Sequence, residues 1–276
     1  MSVVSLRTWY YRQFDADPAR DVPAEGYGGW QNAPLELDLA RTAVVLMHAW
    51  QFGSATEYPG LHRAEEYIPR SDAICRDVLP PLLTAVRAST VPMVHVAFPS
   101  YAARCPGYGR ALALAGPEPK GPEPVQPGLV AERLHRFRLD HVYPGAHNRA
   151  DIDRWWQQVD FPAEARPVGD EWVVTSSPQL LALCRHLGVD HLVYAGFAIN
   201  WCLLMLPCGM VDMSRHGLQC SALRQAVTAV ESRESARGER YKEEGLWRVS
   251  VAFGFVYDVA DFAAALHSSF PAQGVE

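Results

Sequence analysis

The chain has 276 residues, 49% of them hydrophobic and 20% charged, an ordinary globular composition with enough apolar mass for a large core. A net charge of -6 excludes nucleic acid as a main partner, because a phosphate backbone calls for a basic surface. No apolar run reaches the ~18 residues of a membrane span, and the opening residues carry no apolar stretch of a secretory signal.

Residues 1–40 open with the aromatic run Trp9-Tyr10-Tyr11 and become Pro- and Gly-punctuated from Pro18 to Pro34. They read as an N-terminal arm that packs on the core or on another subunit. Thr42 to Met47 is a continuous apolar run without alternation, the pattern of a central parallel strand. It ends at His48, with Trp50 two residues on. Ser71 is a predicted N-cap for a helix to Arg87, interrupted at Pro80-Pro81. Val91 to Phe98 is the second predicted strand.

Residues 99–166 are the least regular part. Gly116 to Pro127 is Pro-rich and reads as a surface loop, flanked by helical segments at Leu129–Arg138 and Asp151–Val159. The region reads as an insertion in a single domain spanning 1–276, covering one end of the sheet.

Glu171 to Thr175 is a third strand. Ser177-Pro178 then opens a helix as N-cap and N1 proline, and Gly188 closes it. Leu192 to Ala195 is the fourth strand. Cys202 follows it and begins a helix predicted to run to about His216-Gly217, bent at Pro207. Leu218 to Leu223 is a fifth strand ending at Arg224. Residues 229–246 read as a charged helix, Trp247 to Tyr257 holds a sixth strand, and Asp258 is a predicted cap for a last helix, Val259–His267.

Strand and helix thus alternate five or six times. That order predicts an α/β fold: a three-layer αβα arrangement around a mostly parallel, six-stranded, doubly wound sheet. In such sheets ligands bind at the carboxyl ends of the strands. His48, Trp50, Thr175, Ala198 to Cys202, and Arg224 should gather there.

A thiol in the first turn of a helix after a buried strand is placed as a nucleophile would be, since free N–H groups and the helix dipole favour thiolate. The competing reading is a buried structural cysteine. None of the six cysteines forms a C-x-x-C pair, so they read as free thiols in a reducing cytoplasm. The histidines show no metal spacing, and no metal or cofactor is expected. Only two of the 25 basic residues are lysines, Lys120 and Lys242.

Gly196-Phe-Ala-Ile-Asn-Trp-Cys202, after a Ser-Pro-capped helix and Leu187-Gly188-Val189, resembles the cysteine motif of the isochorismatase-like cysteine hydrolases, a superfamily that includes nicotinamidases and carbamoylsarcosine hydrolases. The resemblance covers about Thr42 to Tyr257 apart from the Pro-rich insertion. It implies a Cys, an Asp ending the first strand, a Lys after the third, and an oxyanion site of backbone N–H groups beside a cis peptide. Carried over, Cys202 matches. The Asp position is His48, and the Lys position falls near Thr175. The cis bond maps to Ala198-Ile199, with Ile199 where the family has a small polar residue, while Asn200 and Trp201 fit the pattern.

Two functional expectations follow. The first is a hydrolase of a small amide or related C–N compound. In it His48 is the base for Cys202, and N–H groups around Ile199, Asn200, Trp201 and Cys202 hold the oxyanion. Trp50 and Trp201 stack on a flat substrate, and Arg224 grips a carboxylate. The second is a catalytically inactive member that binds a small ligand or serves as a structural subunit. The bland alternatives are a core histidine at 48, packing tryptophans, and a surface ion pair of Arg224 with Glu231 or Glu234. The resemblance implies a homo-oligomer.

Overall fold

In the computed structural model, which describes residues 3–118, 121 and 123–268, the chain forms one mixed sheet of eight strands. They are β1 (Val3–Arg12), β2 (Gly29–Asp38), β3 (Thr42–Met47), β4 (Met93–Val96), β5 (Trp172–Val174), β6 (His191–Phe197), β7 (Gln219–Thr228) and β8 (Val256–Tyr257). Their order across the sheet is β2-β1-β8-β7-β6-β3-β4-β5. All pairs from β8 to β5 are parallel, and β1 runs antiparallel to both β2 and β8.

The expected six strands are all present, and the correction is two more. The segment read as an arm is a ten-residue antiparallel pair that extends the sheet beyond β8. Its inner side chains Val4, Leu6 and Thr8 are buried, so every second residue of this stretch faces the core, the alternation of a strand.

β3 shows why its sequence has no polar gap. Val44 and Leu46 enter one core with the helix Leu79–Arg87 and the final helix Val259–Ser268. Ala43, Val45 and Met47 enter the other, with the helices Ser177–Leu187 and Arg240–Ala252. Both faces are therefore covered, and every β3 residue is buried. The chain turns from one winding direction to the other between β6 and β3, so a crevice opens at their carboxyl ends.

Several boundaries differ from the sequence reading. Ser71 is no N-cap: its hydroxyl donates to the Ile68 carbonyl, inside a helix that begins at Ile68. That helix passes through a π-helical segment, Ile74–Val78, and the two prolines stand in the first turn of the next segment, where a missing N–H costs nothing. Ser176 rather than Ser177 is the cap residue of the helix ending at Gly188, whose φ of 70° closes it. Residues 229–239 form loop, turns and a short 3-10 helix, Ala236–Gly238, and the α-helix occupies Arg240–Ala252, running into the span expected to hold strand six. Asp258 uses its carboxylate on Trp9 and Gln225. The region 99–166 carries helices at Pro106–Ala115, Leu129–His141 and Arg149–Trp156; the middle one has no buried residue. Among the described residues no helix is long and apolar enough to cross a membrane.

Candidate active site

β3 and β6 lie side by side with Met47 opposite Gly196. At the end of β6 the peptide bond between Phe197 and Ala198 is cis, one residue earlier than the sequence mapping placed it. The chain then folds tightly. The Trp201 and Leu203 N–H groups both donate to the Ala198 carbonyl, at 3.1 and 3.2 Å. Asn200 clamps this turn to the stretch after β7: its amide donates to the Val230 carbonyl at 2.8 Å and its oxygen accepts the Val230 N–H at 3.0 Å. Cys202 is the first residue of the helix that follows.

That helix is only Cys202–Met205, not a long one bent at Pro207. Leu206 turns extended, Pro207 has no N–H to continue the ladder, and Cys208 takes a left-handed φ of 67°. Gly209 packs on the carbonyls of Leu206, Cys202 and Leu203, where a Cβ would come within 2.7 to 3.1 Å. The break is held by Ser177, which accepts the Cys208 N–H at 2.7 Å and donates to Asp212, and by Tyr194, which donates to the Cys208 carbonyl at 2.7 Å. A second helix, Met210–Ser214, completes the connection.

Burial pushes the half-buried Cys202 thiol up to about 11. The Ala198 N–H and its own N–H act the other way, and the charge of Glu65 adds to the rise. The Ile199 N–H is spent on the Thr228 carbonyl at 2.8 Å, and that of Trp201 on Ala198. The backbone groups that lower the thiol's pKa are those of Ala198 and Cys202. This corrects the expected oxyanion set. Ile199 is fully buried, and the side chain of Asn200 is committed to Val230.

His48 follows β3 as expected, with a left-handed φ of 54°. Its ring packs on those of Phe98, 4.7 Å away, and Trp50, 5.1 Å away, the three forming one aromatic cluster. Burial holds its pKa down to about 3, so it is neutral, and its Nδ1 is buried without a partner. Among the described residues no hydrogen bond joins it to Cys202. Trp50 is a packing residue: it is buried, donates to the Tyr101 hydroxyl at 3.0 Å and meets Phe52, Phe98, Trp155 and Trp156 edge to face or tilted. Thr175 is tied through its N–H to Gln179 at 2.9 Å.

Arg224 is displaced from the site. Tyr194 pairs with Ala222 and Gly196 with Val227, so β7 is irregular between these pairs and Arg224 lies in that stretch. Its guanidinium stands over Trp9 and Trp30 and pairs with Glu243, neither of the expected partners. Trp201 is half exposed and borders a groove of about 730 Å³ with Met205, Tyr241 and Trp247; Cys202 is not in its lining. Lys242 pairs with Glu239, and Lys120 lies outside the described residues.

Three residues escaped the sequence reading: Glu65, whose charge bears on the thiol, with Tyr67 and Tyr143. Tyr143 donates its hydroxyl to Glu65. Burial raises the Glu65 carboxyl above its usual range. Tyr67 is buried, and the charges of Glu65, Cys202 and Tyr143 all add to the rise that burial gives it. Glu65 and Glu66 were visible as an acidic pair in the segment after the first strand; nothing in the sequence linked Tyr143 to them.

No sequence profile of a protein family matches the chain, and no curated protein matches it. Solved structures do. A cysteine hydrolase from Pseudomonas syringae pv. phaseolicola 1448A has 16% identity and a TM-score of 0.48 over 85% of this chain and 96% of its own. An isochorismatase-like hydrolase from Alkaliphilus metalliredigens has 17% identity and a TM-score of 0.46, covering 82% and 98%. An N-carbamoylsarcosine amidase from Thermoplasma acidophilum has 14% identity and a TM-score of 0.43, covering 79% and 96%. The chain is similar to these hydrolases.

Proposed function

We propose that this chain is an isochorismatase-like cysteine hydrolase in which Cys202 attacks the carbonyl carbon of a small amide or related C–N compound. One observation carries the reading: a half-buried thiol opens a helix at the switch point of the sheet, directly after the cis peptide Phe197-Ala198 and the tight turn that ends β6. The backbone N–H groups of Ala198 and Cys202 in that turn would meet the negative oxygen that forms as sulfur adds to the carbonyl. The reading takes a small-molecule substrate as partner, and it extends to a homo-oligomer in the cytoplasm.

His48 as the base rests on its place directly after β3. Its depressed pKa and the absence of a bond to the sulfur weigh against that role, because a useful base titrates near the working pH. A neutral imidazole with a free buried nitrogen suits hydrogen bonding to substrate instead.

The test is release of ammonia or amine from a panel of small primary amides, N-carbamoyl amino acids and ureas. Turnover that disappears in Cys202→Ala supports the reading. Turnover that persists in that variant overturns it. A second reading, a ligand-binding protein without turnover, is favoured by the thiol at about 11 and by Thr175 at the lysine position. It expects binding of such amides with no product.

A further inference from the structure

The helix Leu129–His141, in the middle of the 99–166 insertion, has no buried residue. An isolated helix of 13 residues is marginal in water, so a helix of this length is held by packing. Its apolar side chains nevertheless face outward: Val130 is 74% exposed, Leu134 60% and Phe137 59%. Leu139, on the opposite side of the helix, is half-buried. The face left without packing therefore points away from the rest of the chain.

Val130, Leu134, Phe137 and His141 recur at steps of four, three and four, which puts them on one ridge of the helix. The rings of Phe137 and His141 meet along it, 4.4 Å apart between centres. Arg133 and Asp140 flank the ridge on one side, Ala131 and Arg138 on the other. These flanking residues select the partner and its direction. Against a parallel second copy, Arg133 would face Arg138, a repulsion made twice. Against an antiparallel copy, Leu134 meets Phe137, Val130 meets His141, and Arg133 meets Asp140 twice, while Arg138 meets Ala131. Both charged groups are open to that pairing. Arg133 has no ion pair among the described residues, and Asp140 accepts from Arg149 through one oxygen at 2.9 Å with its side chain 37% exposed.

We propose that this ridge binds a second copy of the chain, helix against antiparallel helix about a two-fold axis. Such a contact is isologous: the same surface serves both partners and the contact closes on itself. The proposal rests on the homo-oligomer of the proposed function and names its contact; it does not depend on the chemistry at Cys202. Burial of Leu134 and Phe137 from both copies supplies most of the affinity, and the two Arg133–Asp140 pairs fix direction and register. Each helix is about 20 Å long, so the contact is smaller than a standard interface and the dimer is weak, with a dissociation constant of about 10 to 100 µM.

The experiment is sedimentation velocity of the whole chain from about 5 to about 500 µM in reducing buffer, a range that brackets such a constant. Leu134→Glu should weaken the dimer about a hundredfold, since it sets two carboxylates in the apolar seam. Arg133→Glu and Asp140→Arg, each alone, set like charges against each other twice and should weaken it about tenfold. Mixed in equal amounts, the two variants regain opposite charges at both ends, and a heterodimer of wild-type affinity should form. A wild-type chain that stays monomeric throughout the range overturns the proposal and the homo-oligomer with it; the Cys202→Ala assay reads the hydrolase separately. Association that Leu134→Glu leaves unchanged runs through another surface and overturns the proposal. Weakening by Leu134→Glu with no recovery on mixing seats the helix on a different surface and overturns the antiparallel pair. Asp140→Arg also loses the bond to Arg149. If that variant melts early, Asp140→Asn replaces it in the mixture: binding tighter than in Arg133→Glu alone supports the proposal, and equal binding overturns it.

Discussion

Gly196 sits against Met47 so closely that a Cβ on it would lie 1.9 Å from the Met47 carbonyl oxygen, and its φ is 113°. Contact and conformation both require glycine. Gly196→Ala therefore must push β6 off β3 at the level where His48 and the Cys202 turn begin. We expect a loss of about 3 kcal/mol or more, measured by urea unfolding. A variant within about 0.5 kcal/mol of wild type would show that the two strands part easily there.

Asn200 carries both halves of the clamp to Val230. Asn200→Ala leaves a donor and an acceptor of the backbone unpaired beside the thiol. The expected cost is about 2 kcal/mol, with a loss of turnover larger than the loss of stability because the turn that carries Cys202 is freed. Thermal melts and the ammonia assay, run on the same preparation, check it; equal stability and full turnover would refute the clamp.

Acid should destabilise this protein in a defined window. Burial raises the Glu171 carboxyl, but bonds from His95 at 2.9 Å and Arg87 at 2.7 Å outweigh it and hold it down to about 2. A carboxylate depressed in the folded state contributes stability above its unfolded value and loses it as pH falls from about 4.5 toward 2. Burial also holds His48 down to about 3 and His191 to about 4. The unfolded chain binds those protons first, so their contribution fades as pH falls below about 6.5. Unfolding free energy should decline from pH 7 to pH 4 by several kcal/mol, and Glu171→Gln should flatten the part below pH 4.5 while lowering stability at pH 7. Urea titrations at pH 7, 5.5, 4 and 3 measure both. A flat profile would contradict the burial of these imidazoles.

The sequence was most legible where one residue pattern has one structural solution. An unbroken Thr42–Met47 run between two helical layers can only be a central strand, and a cysteine after Gly196 at the end of β6 falls at the switch point whatever else varies. β1 and β2 were missed because their alternation is diluted by aromatics that pack on a neighbouring helix, as Tyr11 does on Trp247. Arg224 was misplaced because β7 runs on irregularly past Leu223, and a register shift leaves no mark in composition. Glu65 and Tyr143 were out of reach for a different reason. Their meeting depends on how the 99–166 insertion folds back, a long-range packing event that local pattern does not encode.

The edge of the sheet sets an order on folding. β8 has two residues and is flanked by β7 and β1, and Trp9 of β1 bonds Asp258 across a separation of 249 residues. On the ribosome the β1–β2 pair emerges before the rest of the sheet and must keep an unpaired strand edge open until β8, the last strand described, has been made. The charged and proline positions along β2, Glu36, Asp38 and Pro34, lie on the strand at the far rim, where they discourage another chain from adding to the sheet during that wait.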